Sequence, residues 1–373
     1  MHIFTPYRVC PLGAHVDHQL GWVTGFAINK GVDLEYEPTE DGHIQVISSN
    51  FSGISDFKLN QIPERQYTWG DFIQGAVVAL SRKYQLSRGF HGKVTGGLPV
   101  GGLSSSAAVI LTYLNVLCKV NGISMTRQEL INMAIWEERE YIGVKVGKLD
   151  QSCEVYCKKD ALLYLDTYDD SSEIIPLNPV MKPFEIMIVF SGVERKLAGS
   201  AYNTRVDECK SASYAMKAFS SMEYGKYQDT YLRDVPYGIF EEFQDKLPEK
   251  WRMRAEHFYG EEQRVKRGVA AWRSGDIEVF GQCMFESGHS SIELYETGSE
   301  ELKAIQDILE NTEGVYGGRF SGAGFNGSSV ALIDPEKKEK IAACVEEKYL
   351  SRFPKLKGKF SIHFCKTADG VKL

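Results

Sequence analysis

The stretch Pro99-Val-Gly-Gly-Leu-Ser-Ser-Ser-Ala-Ala108 joins a glycine-rich turn to the start of a predicted helix. Four glycines in or just before it allow the backbone to turn tightly. Apolar residues then recur with helical spacing from 107 to 117. A glycine turn that leads into a helix start presents free N–H groups and the positive end of a helix dipole, which together hold phosphate. We therefore predict a phosphate-binding loop, with a flexible linker before a helix as the alternative.

The serines of this stretch extend the prediction to a metal ion. Ser104, Ser105 and Ser106 carry hydroxyl groups, which are oxygen donors of the kind that a phosphate-bound Mg²⁺ accepts. The stretch differs from a Walker loop, because no Gly-Lys-Ser/Thr follows it.

Composition indicates an ordinary globular protein. The chain has 373 residues, 43% of them hydrophobic and 25% charged, and a net charge of −7. This length suits two domains. Without a long basic run, an apolar span or a signal-peptide pattern, the sequence favours no nucleic-acid or membrane partner and predicts a cytoplasmic location. The eight cysteines are expected to be reduced, and Cys153 and Cys157 lack the second ligand pair of a metal site.

The order of the predicted elements indicates an α+β fold. Strand patterns fill residues 31–59 and recur at 161–166 and 185–190. Helical patterns cover 69–83, 126–141 and 150–158 and dominate 197–310. A proline-rich link at 175–183 divides the chain into predicted domains 1–180 and 181–373. This order does not fit a regular βαβ alternation.

A second group of polar residues lies in Tyr7-Arg-Val-Cys-Pro-Leu-Gly-Ala-His-Val-Asp-His18. An arginine on a strand precedes a glycine turn that carries His15, Asp17 and His18. An aspartate accepts from vicinal hydroxyls and a histidine donates or accepts, so this turn suits recognition of a polyol. A turn with surface polar residues is the alternative, and no third ligand supports a metal at the two histidines.

A third motif, Gly317-Gly-Arg-Phe-Ser-Gly-Ala-Gly-Phe-Asn-Gly-Ser-Ser329, matches GxGxxG by count. A dinucleotide fingerprint opens a helix, whereas Val330-Ala-Leu-Ile-Asp334 indicates a strand. We therefore interpret the motif as a hairpin loop that closes over a ligand.

The three motifs, in this order and spacing, resemble those of the GHMP small-molecule kinases, and within them the galactokinase branch. The match runs from Arg8 to Asp369, nearly the whole chain. It implies a two-domain fold with the active site in the cleft between the domains, and transfer of the γ-phosphoryl group of ATP to a sugar anomeric hydroxyl. The phosphate loop is one residue shorter than usual between Pro99 and Gly102.

The resemblance also implies roles for individual residues. Asp150 resembles the catalytic aspartate, and Arg8 would keep it ionised and stabilise the moving phosphoryl group. The sugar-binding positions are Ala14, His15, Asp17, Gly147 and Tyr202. The nucleotide-binding positions are Gly101, Gly102, Leu103, Ser104, Ser105, Ser106, Ala107 and Gly322, with Trp69 at adenine or, alternatively, anchoring a helix in the core. Ser106 and Glu138 would face Mg²⁺, unless Glu138 belongs to a solvated helix face.

One departure from galactokinases concerns the sugar. Galactokinases carry Gly-Glu-His where this chain has Gly13-Ala-His15, so a carboxylate that reaches the C6 hydroxyl is missing. Lys145 and Lys148 precede Asp150 where galactokinases usually have small or apolar residues. Both changes suit a sugar with an acid at C6, so the chain resembles galacturonokinases more than galactokinases. Galactokinase activity and a catalytically silent sugar sensor are the alternatives. We expect a monomer or a homodimer.

Overall fold

A computed structural model describes residues 1–99, 101–193 and 199–373, with the backbone alone at 199 and 200. Its strands are β1 (His2–Val9), β2 (Trp22–Thr39), β3 (His43–Ser48), β4 (Ile54–Lys58), β5 (Gly89–Gly96), β6 (Ala161–Asp166), β7 (Ser172–Pro176), β8 (Glu185–Phe190), β9 (Val315–Phe320), β10 (Ser328–Ile333), β11 (Ser361–Cys365) and β12 (Thr367–Ala368). Its α-helices are α1 (Asp71–Ser81), α2 (Ser105–Val120), α3 (Arg127–Trp136), α4 (Leu149–Tyr156), α5 (Gly199–Phe219), α6 (Tyr237–Phe243), α7 (Glu249–Ser274), α8 (Ile277–Glu293), α9 (Glu300–Glu310) and α10 (Lys338–Arg352).

The long strand β2 organises the larger, eight-stranded sheet. The strand order is β4-β3-β5-β2-β6-β7, and β1 and β12 also pair with β2. All of these pairs are antiparallel except β3 with β5. Helices α1 and α2 pack together, and α2 and α4 both contact β1 and β2. The sheet therefore presents the end of β1 to the starts of α2 and α4.

A four-stranded antiparallel sheet, in the order β11-β8-β10-β9, forms the second layer. Its strands lie after residue 180, and helix α8 packs on β9. A continuous apolar core joins the two parts, because buried residues of both sheets and of α2, α7 and α8 belong to one cluster. The mixture of helices and sheet confirms the α+β class. The predicted boundary near residue 180 stays a prediction, since β12 returns to the larger sheet.

The predicted elements agree with the structure except at several ends. Strands β6 and β8 have the predicted bounds. The helix expected from Trp69 begins at Asp71, whose carboxylate accepts from the backbone N–H groups of Gln66 and Thr68 and so holds the preceding turn. The helix expected over 126–141 starts with the predicted capping box of Thr126 and Glu129. After α3 it continues as one π-helical turn, Glu137–Ile142.

The eight cysteines are free thiols, as expected, and seven of them are buried. Among the described residues, no helix is both long and apolar enough to cross a membrane.

Candidate active site

The two predicted glycine loops pack backbone against backbone. Gly102 and Gly322 both have φ values in the left-handed region, +83° and +70°. A Cβ at Gly102 would lie 2.9 Å from the Ser321 carbonyl oxygen, and one at Gly322 would lie 2.9 Å from Gly102 Cα. Only glycine fits at such positions. The third motif is therefore a hairpin loop between β9 and β10 that closes on the predicted phosphate loop; Val100 lies outside the described residues.

Arg8 and Asp150 meet beneath these loops. Arg8 Nε and Nη2 lie 2.8 and 2.7 Å from Asp150 Oδ1. Arg8 Nη1 donates to the Gly102 carbonyl at 3.3 Å and to Ser321 Oγ at 3.4 Å. The Ser104 hydroxyl donates to Asp150 Oδ2. One guanidinium thus connects β1, α4 and both glycine loops.

This arrangement pairs a buried guanidinium with a carboxylate. Burial opposes the charge of Arg8, but the Asp150 carboxylate outweighs it and raises the pKa of the guanidinium. Asp150 lies in the first turn of α4, where the helix dipole also stabilises negative charge. Ser104 precedes α2 in a left-handed conformation, φ 57°, which is strained for a residue with a side chain. Its hydroxyl bond to Asp150 offsets part of that cost.

Ser106 and Glu138 lie next to each other, as predicted. The Ser106 hydroxyl donates to Glu138 Oε1 at 2.8 Å, and Gln151 Nε2 donates to Glu138 Oε2 at 2.7 Å. Glu138 is only 4% exposed, so the solvated-face alternative is wrong. A hydroxyl and a carboxylate are hard oxygen donors that suit Mg²⁺.

The described residues include no group of three or more His, Cys, Asp or Glu that could hold a metal by itself. This donor set fits a Mg²⁺ that takes its remaining ligands from phosphate and water, the usual manner for this ion.

Asp17 and Gly147 form one wall of the predicted sugar pocket. A Cβ at Gly147 would lie 2.0 Å from Asp17 Oδ2, so only glycine allows this approach. The same oxygen accepts from the Leu149 backbone N–H at 3.2 Å. Burial, with the Asp150 charge nearby, raises the pKa of Asp17 to about 6. Asp17 is therefore a buried acceptor beside the Arg8–Asp150 pair.

His15 and His18 are held by aromatic neighbours. The His15 ring stacks on Tyr295, with ring centroids 4.4 Å apart, and its buried Nε2 has no hydrogen-bond partner among the described residues. His18 Nε2 bonds to the Tyr295 hydroxyl at 2.8 Å, and its ring meets the edge of Tyr202. Burial lowers the pKa of both histidines, that of His18 to about 3. The unpartnered His15 nitrogen is thus a neutral group that a ligand hydroxyl can satisfy.

The backbone at Ala14 is fixed from helix α7. Glu261 Oε1 accepts from the N–H groups of Gly13 and Ala14 at 2.8 and 3.1 Å, and His257 Nε2 lies 2.9 Å from the Ala14 carbonyl. Burial works against the charge of Glu261, but Arg264 prevails and lowers the pKa of the carboxyl to about 2. Ala14 is therefore a small buried residue on a rigid backbone.

Lys145 and Lys148 are both paired with aspartates. Lys145 Nζ lies 2.7 Å from Asp207 Oδ1, and Lys148 Nζ lies 2.5 Å from Asp170 Oδ1. These partners weaken both lysines as counter-charges for a sugar acid. Their contacts therefore do not support the prediction that these lysines favour a sugar with an acid at C6.

Trp69 lies just before α1 and is partly buried. Its indole N–H donates to the Ser52 carbonyl at 2.9 Å, and the ring packs against the core. The ring thus packs on the core, as expected if Trp69 anchors a helix there. Its exposed part is still available to contact an adenine.

Sequence reasoning missed several residues of the site. Gln151 follows the predicted aspartate directly, and Ser321 stands inside the third motif, so local position could have indicated both. Glu261 lies in α7 and Tyr295 lies in the segment between α8 and α9, and neither has a local sequence signal. They reach the site only through packing of the second half of the chain against the first.

Comparison with known proteins identifies the family. Residues 71–158 match the family described as GHMP kinases N terminal domain, and residues 269–351 match GHMP kinases C terminal. The chain is 36% identical to a galacturonokinase of Arabidopsis thaliana, over 100% of this chain and 93% of that protein. It is 32% identical to a galactokinase of Thermotoga neapolitana, over 100% and 99% of the two chains.

A solved structure gives the same result. Lactococcus lactis galactokinase complexed with galactose superposes with a TM-score of 0.90 at 25% identity, covering 100% of this chain and 94% of that one. The chain belongs to the GHMP kinase family. Within that family it is a sugar kinase, a phosphotransferase that uses ATP.

Proposed function

We propose that this protein transfers the γ-phosphoryl group of ATP to the anomeric hydroxyl of D-galacturonate, giving galacturonate 1-phosphate. The observation that carries the choice of sugar is Ala14, which replaces the glutamate of galactokinases. Ala14 is 5% exposed on a backbone fixed by Glu261 and His257. A sugar acid would meet no carboxylate from this position. The identity to the Arabidopsis galacturonokinase, 36% over the full chain, supports the same choice.

In the proposed reaction, Asp150 receives or positions the proton of the sugar O1. Arg8 occupies Asp150 Oδ1 and Ser104 donates to Oδ2, so Oδ2 keeps a lone pair for the sugar hydroxyl. The Arg8 guanidinium would hold the Asp150 carboxylate in place and stabilise charge on the transferring group. Phosphoryl transfer depends mainly on positioning and electrostatics, so these few groups suffice.

The remaining groups hold the two substrates. Asp17, His15, Gly147 and Tyr202 would contact sugar hydroxyls, and the start of α2 would hold phosphate oxygens. Ser106 and Glu138 would hold Mg²⁺. When bound, this ion neutralises charge on the nucleotide phosphates. Trp69 would contact the adenine.

The test is an ADP-release assay with galacturonate, galactose, glucuronate and glucose. We expect the highest kcat/KM for galacturonate. A higher value for galactose would replace the proposal by galactokinase activity. Binding of a sugar without ADP release would identify a silent sensor, which the intact Ser104–Ala107 segment and the Arg8–Asp150 pair argue against.

A further inference from the structure

Arg139 is a cation beside the predicted sugar pocket that the family motifs do not include. It lies in the π-helical turn Glu137–Ile142, directly after Glu138. Among the described residues, its Nε donates to the Val146 carbonyl at 2.7 Å, and the two terminal nitrogens of the guanidinium have no hydrogen-bond partner. The side chain is exposed and forms no ion pair with any residue in the described ranges. π-Helical turns of this kind often occur at functional sites.

Its contact places Arg139 at the sugar end of the site. Val146 precedes Gly147, whose backbone lies against the Asp17 carboxylate. The charge of Arg139 reaches the same groups. Burial raises the pKa of Asp17, and Arg139 opposes that shift. Burial lowers the pKa of His18, and Lys210 and Arg139 lower it further.

The neighbouring cations differ from Arg139 in their partners. Lys145 is neutralised by Asp207, and Lys148 by Asp170. Lys210 is partly buried, where its ammonium donates to the Gln228 and Thr230 carbonyls and lies 4.0 Å from the Tyr231 ring centroid. Arg139 is therefore the cation of this group that is exposed and has no carboxylate partner among the described residues.

We propose that Arg139 is a specificity-determining residue that favours an anionic sugar, such as a hexuronate, over its neutral counterpart. This inference rests on the proposed function and supplies the attraction that Ala14 alone does not. The two terminal nitrogens of a guanidinium match the geometry of a carboxylate, and the charge also steers an anion toward the pocket. The attraction acts on sugar binding rather than on the phosphoryl transfer step.

The experiment measures kcat, KM and kcat/KM for galacturonate and galactose in the wild type, Arg139→Gln and Arg139→Lys. Lys145→Gln is the matched control. It removes a positive charge six residues further along the chain, and Asp207 already neutralises that charge in the wild type. The ratio of kcat/KM for galacturonate to that for galactose is expected to fall about tenfold in Arg139→Gln, which corresponds to ~1.4 kcal/mol. The fall should come from KM for galacturonate. It should be smaller in Arg139→Lys, which keeps the charge without the paired nitrogens, and largely absent in Lys145→Gln. Added salt should reduce the wild-type ratio and leave that of Arg139→Gln nearly constant.

The outcomes separate this inference from the proposed function. Preference of the wild type for galactose refutes the galacturonate proposal, yet the change in ratio between wild type and Arg139→Gln still tests Arg139. An unchanged ratio overturns the specificity role. Equal losses for both sugars also overturn it, because they identify Arg139 only as a support for the Val146–Gly147 backbone. If the ratio in Arg139→Lys is as low as that in Arg139→Gln, charge alone is excluded as the cause of the preference.

Discussion

Replacing Ala14 by glutamate restores the carboxylate that galactokinases have at this position, and should shift the sugar preference toward galactose. The backbone there is fixed, since Glu261 accepts from the Ala14 N–H and His257 bonds to the Ala14 carbonyl. The new side chain would therefore project from a defined point into a pocket whose neighbours His15 and Asp17 are 7% and 8% exposed. Little water remains there to screen the charge.

The expected magnitude follows from Coulomb's law. Two unit charges 4 Å apart interact by about 4 kcal/mol at an effective dielectric near 20. A quarter of this, about 1 kcal/mol, lowers the affinity for galacturonate roughly fivefold. For galactose, a hydrogen bond from the C6 hydroxyl to a charged acceptor is worth about 1.5–3 kcal/mol. The ratio of kcat/KM for galacturonate to galactose should therefore fall at least about fivefold.

A neutral isostere provides the control. Ala14→Gln fills nearly the same space without a charge, so any effect of volume alone appears in both variants. We would measure kcat/KM for both sugars in the wild type, Ala14→Glu and Ala14→Gln at neutral pH, and repeat the series near pH 5. Burial beside Asp17 should raise the pKa of the new carboxyl, so the penalty on galacturonate should shrink at the lower pH.

The reasoning is refuted if Ala14→Glu leaves the sugar ratio unchanged. It is also refuted if Ala14→Gln lowers the ratio as much as Ala14→Glu does, because the effect would then arise from volume. A thermal denaturation of each variant checks that the fold is retained.

Further predictions concern the other groups of the site. Asp150→Asn should lower turnover at least about 100-fold with ATP binding nearly unchanged, and near-normal turnover would contradict the role of Asp150 as base. Ser106→Ala and Glu138→Ala should raise the Mg²⁺ concentration needed for half-maximal rate more than KM for the sugar, and a normal Mg²⁺ titration of both would exclude this role. The Asp17 carboxyl, with a pKa of about 6, should lose its charge as the pH falls, so KM for the sugar should rise below about pH 6, and Asp17→Asn should abolish this inflection. The pKa of Asp17 is higher in the folded protein than the usual 3.8, so between pH 3.8 and about pH 6 the folded state binds more protons than the unfolded state. The contribution of Asp17 to the free energy of unfolding should therefore fall as the pH rises through this range. Urea denaturation of the wild type and Asp17→Asn at several pH values measures the difference.

Short-range patterns predicted much of the fold. The Thr126–Glu129 capping box marks the start of α3, and alternating or apolar runs give β6 and β8 their bounds. These elements depend on residues within a few positions of each other, so one sequence suffices to find them. The π-helical turn after α3 was not predicted, because no residue in Glu137–Ile142 distinguishes it from a continued α-helix.

Long-range contacts account for what the sequence did not reveal at the site. Arg8 and Asp150 were paired through the family resemblance, and the structure brings them to 2.7 Å across 142 positions. Glu261 binds the Gly13 N–H from 248 positions away, and nothing near either residue indicates the other. The sequence near Lys145 and Lys148 does not indicate their aspartate partners, Asp207 and Asp170. The sequence alone therefore could not show that both lysines form ion pairs.

The return of β12 to the larger sheet has a consequence for how the protein is made. Strand β7 completes the rest of that sheet at residue 176, whereas β12 begins at residue 367. At roughly 5–20 residues per second, a ribosome needs about 10–40 s to synthesise the chain between them. During that interval β2 has unpaired backbone groups at Ala27 and Ile28, and the Glu154 carbonyl of α4 lacks its bond from Val371. Helix α4, which carries Asp150, thus gains its last backbone hydrogen bond only late in translation. Until then, the free backbone groups of β2 are exposed to pairing with another strand.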